Sequence, residues 1–466
     1  MWNRGTAPAV VLAVTLIAAG CGDDTGSMTP GDPYAETIEA FRLGPLPAVP
    51  YPPDNLFNAN RVALGRLLFF DPILGGESAP WVKSAAGMPG EFRGNDMACG
   101  TCHLPQFAFA DGRRLGAGVS GGRMHAMDMG PDRLVPGPSL VTGNPVGTEP
   151  RNAPTILNTA LAGAGSIEPS ARGFLFLDGR AEGLEAVAKL PITSRDEMAG
   201  DAYGIPPGMP EHEFEPIIQD SVAARVRAIS EYVVRFRQAF PAEVEAAPDI
   251  TIDHIARAIA AFERELVTPG SRYDRFVMGD RDAFTSVEKR GFELFFGKAL
   301  CGDCHSGPML SDYTFRVQGV GDDYDSILPG FEGRNGEGGD FGRFHADPEA
   351  FAGRKYAFRV LTIRNVEVTG PYFHSGSAGT LREAVEFYNR GGLGQRDIST
   401  ATLAAGGAVR DPSIRPLGLT ADEIDAVVAF MKTTTAQVAP GFLGTELTEI
   451  PARVPSGLVP PSIESP

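Results

Sequence analysis

A chain of 466 residues with 43% hydrophobic and 21% charged side chains can bury the cores of two domains, which excludes disorder throughout. Its formal charge of −17 excludes a nucleic-acid backbone as a main partner, because that contact is made by clustered Lys and Arg. The 57 glycines and 39 prolines exclude a coiled coil and predict long loops wrapping the helices.

The apolar run over residues 7–19 is shorter than the roughly 20 residues of a spanning helix, so it reads as a signal-peptide core. It ends in Ala-Ala-Gly-Cys21, which resembles a bacterial lipobox with Cys21 as the acylated residue. Plain secretion with an unlipidated cysteine is the alternative. Residues 22–37 then read as a tether, rich in Gly, Asp, Ser, Thr and Pro at its start. Gly22 in place of Asp favours the outer membrane, with a periplasmic protein held by a lipid anchor only.

The other four cysteines form Cys99-Gly-Thr-Cys102-His103 and Cys301-Gly-Asp-Cys304-His305, both C-x-x-C-H. This is the c-type haem signature: two thiols add across the porphyrin vinyls and the adjacent His becomes the proximal iron ligand. A four-cysteine zinc site or a thioredoxin-like pair fits poorly, given the His after each pair and the long separation. Apolar residues at helical spacing precede each motif, over 61–70 and 289–296, as in a weak repeat. Thr285 and Glu288 predict a capping box for the second. Further helices are predicted over 183–190, 221–236, 252–266, 380–388 and 421–432, the last capped by Thr420, and no sustained strand alternation is found. The expected fold is mainly α: two cytochrome c-like haem domains with long loops, an N-terminal one over 38–245 and a C-terminal one over 246–435, followed by a Pro-rich tail over 436–466.

From about residue 55 to 434 the chain resembles the bacterial dihaem cytochrome c peroxidases and the related MauG enzymes. The matching stretches are 99–112, 151–158, 178–181 (Asp-Gly-Arg-Ala), 191–198, 361–365 and 368–377, in the family's order and spacing. The resemblance implies two covalent haems c, with peroxide chemistry at the His103 haem. It implies Glu197, six places after Pro191, as the distal acid-base residue, and Val187 where a Gln usually joins that pocket. Ser120 holds the place of a distal His that closes the resting iron in many relatives; His125 stands nearby as a substitute, and an open iron is the favoured expectation. Nearby, Met124, Met127 and Met129 are soft donors in a loop.

For the second haem, the resemblance makes His305 proximal and puts Tyr388 where the peroxidases carry a distal Met. Tyr there is the MauG arrangement, in which a phenolate lowers the iron potential. Leu177 replaces the Trp that relays charge between the haems, Phe174 and Phe176 are poor relays, and Trp81 is the only Trp outside the signal segment. One Ca2+ is implied between the domains, held by Asn152, Thr369 and Pro371, oxygen donors that suit this ion. His212, His254 and His345 read as structural, and His374 as a group near the second haem rather than an iron ligand.

Three functions follow. The first is hydrogen peroxide reduction at the N-terminal haem, with electrons passed through the C-terminal haem from a small periplasmic cytochrome c or copper protein. The second is a MauG-like enzyme that oxidises residues of an unknown protein substrate. The third is a non-enzymatic dihaem electron carrier. The resemblance leaves a homodimer open, and residues 121–149 and 322–352 are candidates for a partner surface.

Overall fold

The computed structural model describes residues 31–76, 97–112, 151–194, 197–200, 203, 209–321, 340–394, 397–436 and 448–461, with the backbone of strands Gly137–Pro138 and Pro145–Val146. Cys21, Trp81, Ser120, His125 and the three methionines beside it lie outside the described residues.

Two helix crossings organise the chain. Helix Ala59–Phe69 starts at Asn58, whose side chain accepts from the Asn60 and Arg61 amides. It crosses helix Ile252–Arg264 at Gly65, where an added Cβ would lie 1.8 Å from the Ala258 carbonyl oxygen, so only glycine permits this backbone contact. Phe69 and Phe262 fill the crossing, ring centroids 5.2 Å apart. Helix Ser286–Phe296 starts with the Thr285–Glu288 capping box and crosses Ala421–Lys432, capped by Thr420 and Glu423. There an added Cβ on Gly291 would lie 1.9 Å from the Ala426 carbonyl oxygen, and Phe295 meets Phe430 at 5.0 Å.

The correspondence extends beyond the crossings. Asn158 and Asn365 both adopt a left-handed backbone, with φ of 62° and 61°. Their amides donate to Leu266 and Thr434 respectively, each just past its crossing helix. Both side chains donate to the Thr268 hydroxyl at 2.8 Å, so this buried threonine joins the two halves.

The first core takes in Ile250–Leu266 residues such as Ile255, Ile259 and Phe262. Helix Ile252–Arg264, which follows the expected 245/246 division, thus packs in this first core, and Thr268 comes just after it. The termini cross over. Helix Ala35–Ala40 places Ile38 in the second core, with Tyr34 against Phe276, so the tether expected through residue 37 is already packed there. Ile450, Val454 and Leu458 of the tail lie on the first half.

The expected helix over 183–190 resolves into Leu184–Val187 and Leu190–Thr193, and that over 221–236 into Glu211–Arg227 and Ser230–Ala239. Helices Leu381–Asn389 and Ala421–Lys432 occupy their expected places. Among the described residues strands are confined to three short antiparallel pairs, including Phe315–Val317 with Ala357–Arg359. Among the described residues no helix is long and apolar enough to cross a membrane.

Candidate haem sites and the cleft between them

Each C-x-x-C-H stretch is a single tight turn closed against a phenylalanine. A Cβ on Gly100 would lie 2.4 Å from the Phe70 ring, and one on Gly302 2.6 Å from the Phe41 ring. The His103 Nδ1 lies 3.0 Å from the Phe109 carbonyl oxygen, and the His305 Nδ1 2.9 Å from that of Leu310. A carbonyl only accepts, so each Nδ1 carries the proton and each Nε2 keeps a lone pair for a metal. Burial lowers both imidazole pKa values, which holds that neutral form. Ala108 and Phe109 in the first loop, and Leu310 in the second, take positive φ and turn the accepting carbonyl back to the ring.

A cleft of about 2180 Å³ runs between the halves, lined by Cys102 and His103 on one side and by His305 and Tyr388 on the other. A second cavity of about 800 Å³, mostly apolar, is lined by Cys301, Cys304, His305, Tyr388 and Met431. Two thiols, an imidazole with a free Nε2 and an apolar cavity beside each motif are a donor set that fits covalent haem c.

Glu197 and Pro191 line the cleft on the His103 side, as does Val187. The turn that brings Glu197 back is closed by Met198 N–H donating to the Pro191 carbonyl at 3.2 Å. On the other side the Gln318 Nε2 donates to the Tyr388 hydroxyl at 2.9 Å, and burial pushes that phenol's pKa up. Leu177 is buried and lines the cleft, and its carbonyl accepts from the Arg359 amide at 2.8 Å. Asn152, Thr369 and Pro371 line the same cleft, and the Asn152 amide donates to the His374 carbonyl at 2.7 Å. His374 stacks on Phe358 with centroids 3.9 Å apart. Among the described residues no three His, Cys, Asp or Glu side chains gather to hold a metal ion.

Several groups at the cleft escaped sequence reasoning. Arg151 is buried between Asp178, 2.6 Å from its Nη1, and Asp340, which takes Nη2 at 2.8 Å. Burial raises the Asp178 pKa, but Arg151 and Arg180 outweigh it and hold the group at about 2. Gln318 sits at the edge of a two-strand ribbon with nothing in its surroundings to mark it. Glu263 gives one signal, an acid within the apolar run of helix Ile252–Arg264, and it lines the cleft with His103. His254 joins the Thr251 cap and His345 lies 3.7 Å from Asp340, as structural histidines do.

A family profile described as di-haem cytochrome c peroxidase matches residues 59–282. The chain is 30% identical to the cytochrome-c peroxidase IdrP1 of Denitromonas iodatirespirans over 408 residues, 84% of this chain and 85% of that one. It belongs to the di-haem cytochrome c peroxidase and MauG family. A methylamine utilization protein MauG of Methylorubrum extorquens is 29% identical over 392 residues, 84% of this chain and 83% of that protein. The crystal structure of a MauG-like protein associated with microbial copper homeostasis superposes with a TM-score of 0.61 at 26% identity, covering 88% of this chain and 97% of the other. Family membership brings the enzyme class: a mainly helical di-haem oxidoreductase acting on hydrogen peroxide.

Proposed function

We propose that the chain reduces hydrogen peroxide at the haem held by Cys99, Cys102 and His103, with electrons entering through the haem held by Cys301, Cys304 and His305. The observation that carries this is that His103, Pro191 and Glu197 all line the one cleft. Haem iron supplies the electrons that break the O–O bond when it is bound. The rest falls to this chain's residues: His103 Nε2 holds the iron, and Glu197 takes a proton from one peroxide oxygen and returns it to the other, so cleavage is heterolytic. Overall, H2O2 takes up two protons and two electrons to give two waters, the electrons coming from a small cytochrome c or copper protein. Pro191 begins the turn that aims Glu197.

Asn152, Thr369 and Pro371 are the proposed calcium ligands, and an ion there would fix the angle between the halves. Cys21 is proposed as the acylated residue of a periplasmic lipoprotein. A second reading is favoured by Tyr388 beside His305: a phenolate on the second iron suits an enzyme that spends peroxide on residues of a partner protein, as in MauG-like chemistry. Leu177 works against a close copy, since an alkyl side chain has no accessible redox state.

The test is the EPR and electronic spectrum of the diferric protein before and after one equivalent of peroxide, without reductant. A high-spin haem that reacts at once and then turns over with reduced cytochrome c is expected. A long-lived oxidised product that ignores cytochrome c favours the second reading. Two low-spin haems inert until one electron is added would overturn the open first haem and point to His125 as a distal ligand.

A further inference from the structure

The two crossings differ in one residue that the function above leaves unused. In the second half Phe430 is followed by Met431, which lines the His305 cavity; in the first, Phe262 is followed by Glu263, which lines the cleft with His103 and Glu197. Glu263 is 6% exposed, burial and the charges of Arg264 and Glu185 act on its carboxyl group with no hydrogen bond among the causes, and its oxygens open onto the cleft. Neighbouring carboxylates are all satisfied: Glu185 by Arg264 and Asn55, Glu243 by Arg257, Glu265 by Tyr51. An unpartnered buried carboxyl is a penalty that the fold does not require, because Met431 serves the same position in the other half. Helix Leu184–Val187, tied to Glu263's helix by the Glu185–Arg264 ion pair, lines the same cleft and presents only Leu184 and Val187 to it.

We propose that Glu263 is a second substrate-binding acid of the His103 cavity, donating a hydrogen bond to the peroxide or water that Glu197 faces. This rests on the His103 haem being the peroxide site. Burial pushes the Glu263 pKa up to about 8, with Arg264 lowering it and Glu185 raising it, so the group keeps a proton to donate at neutral pH. A polar donor set among the apolar Leu184 and Val187 would both bind and orient a two-oxygen ligand.

The probe is fluoride, a small anion that binds ferric haem more tightly where the cavity supplies a donor. In the diferric holoprotein, Glu263→Met should weaken fluoride binding at the first haem about tenfold, the loss of one hydrogen bond. Glu263→Gln, which keeps a donor, should stay within about threefold. Adding Val187→Gln to Glu263→Met restores a donor to the same cleft and should recover much of the affinity. Unchanged affinity in Glu263→Met, with a raised melting temperature, would overturn the proposal and leave Glu263 a merely buried acid; so would an equal loss in Glu263→Gln. If the parent protein binds no fluoride at the first haem, the open-site reading itself fails, and the proposal with it.

Discussion

The two halves share a skeleton and differ in what faces the iron. Gly65 and Gly291 make the same backbone contact, Asn158 and Asn365 meet on Thr268, and His103 and His305 donate to equivalent carbonyls. Around that common frame the first half sets Glu197, Val187 and Glu263, and the second sets Tyr388, Gln318 and Met431. A repeated fold thus sets two C-x-x-C-H turns in one attitude, and a few cavity residues differ between them; on the proposed function those residues assign one to proton chemistry and the other to electron entry.

The largest effect should come from removing that proton chemistry. Glu197→Gln keeps the shape of the first cavity but loses the group that gains and releases a proton. Peroxide turnover is expected to fall roughly 100- to 10,000-fold. The midpoint potential of the second haem should not move. A matched loss in both readouts would mean that Glu197 supports the cleft as a whole and that the division of labour is wrong.

Next is the cluster that spans the halves. Arg151→Met would leave Asp340 buried without its guanidinium and Asp178 with Arg180 alone, at an expected cost of about 3–5 kcal/mol in unfolding free energy. The same cluster predicts acid lability. The folded Asp178 pKa of about 2 lies below its ordinary 3.8, so its stabilising contribution is present above about pH 4 and is lost as pH falls toward 2. Thermal melts between pH 2 and 7 should show this loss in the parent chain and a weaker one in the variant. If Arg151→Met melts with only one half affected, the cluster is a local ion pair and not the bond between halves.

Smaller again are the paired substitutions Gly65→Ala and Gly291→Ala. Each forces apart two backbones already in contact, by about 1–3 kcal/mol or more, as overpacking does. Unfolding followed separately at each haem should show Gly65→Ala weakening the His103 half and Gly291→Ala the His305 half by similar amounts. Unequal losses would show where the repeat has drifted.

Much of this organisation was readable in the chain. The two C-x-x-C-H turns, the Thr285 and Thr420 caps and the apolar spacing of the crossing helices are local, so residue type and interval carry them. Glu197 and Tyr388 were reached through fixed distances from Pro191 and His374 in a resemblance to known enzymes. Gln318 and the Arg151 cluster were not legible, because their partners lie 70 and 189 residues away and are gathered only by tertiary folding. The packing of Ile255 and Phe262 in the first core was not legible near residue 245 for the same reason: prolines report a turn and not which core the chain enters next.

The smallest expected effect tests the crossing of the termini. Asp71 lies at the end of the first helix of the His103 half and is fully buried. Its carboxylate accepts from the Ile73 amide at 2.9 Å, the Tyr232 hydroxyl at 2.5 Å and the Ser456 hydroxyl at 2.6 Å. Ser456 belongs to the tail, which follows the second half in the chain yet packs Val454 fully into the first. The Ser456 amide donates as well, at 3.3 Å, so Ser456→Ala removes one of four donors and leaves the carboxylate with three, and a loss of about 0.5–1.5 kcal/mol is expected. That loss should appear in melting of the His103 half alone, while Ile38→Ala, at the other end of the chain, should weaken the His305 half. If Ser456→Ala lowers the melting of the His305 half instead, the tail serves the domain it follows. The two halves would then be held by the Thr268 and Arg151 contacts without a strap from each terminus.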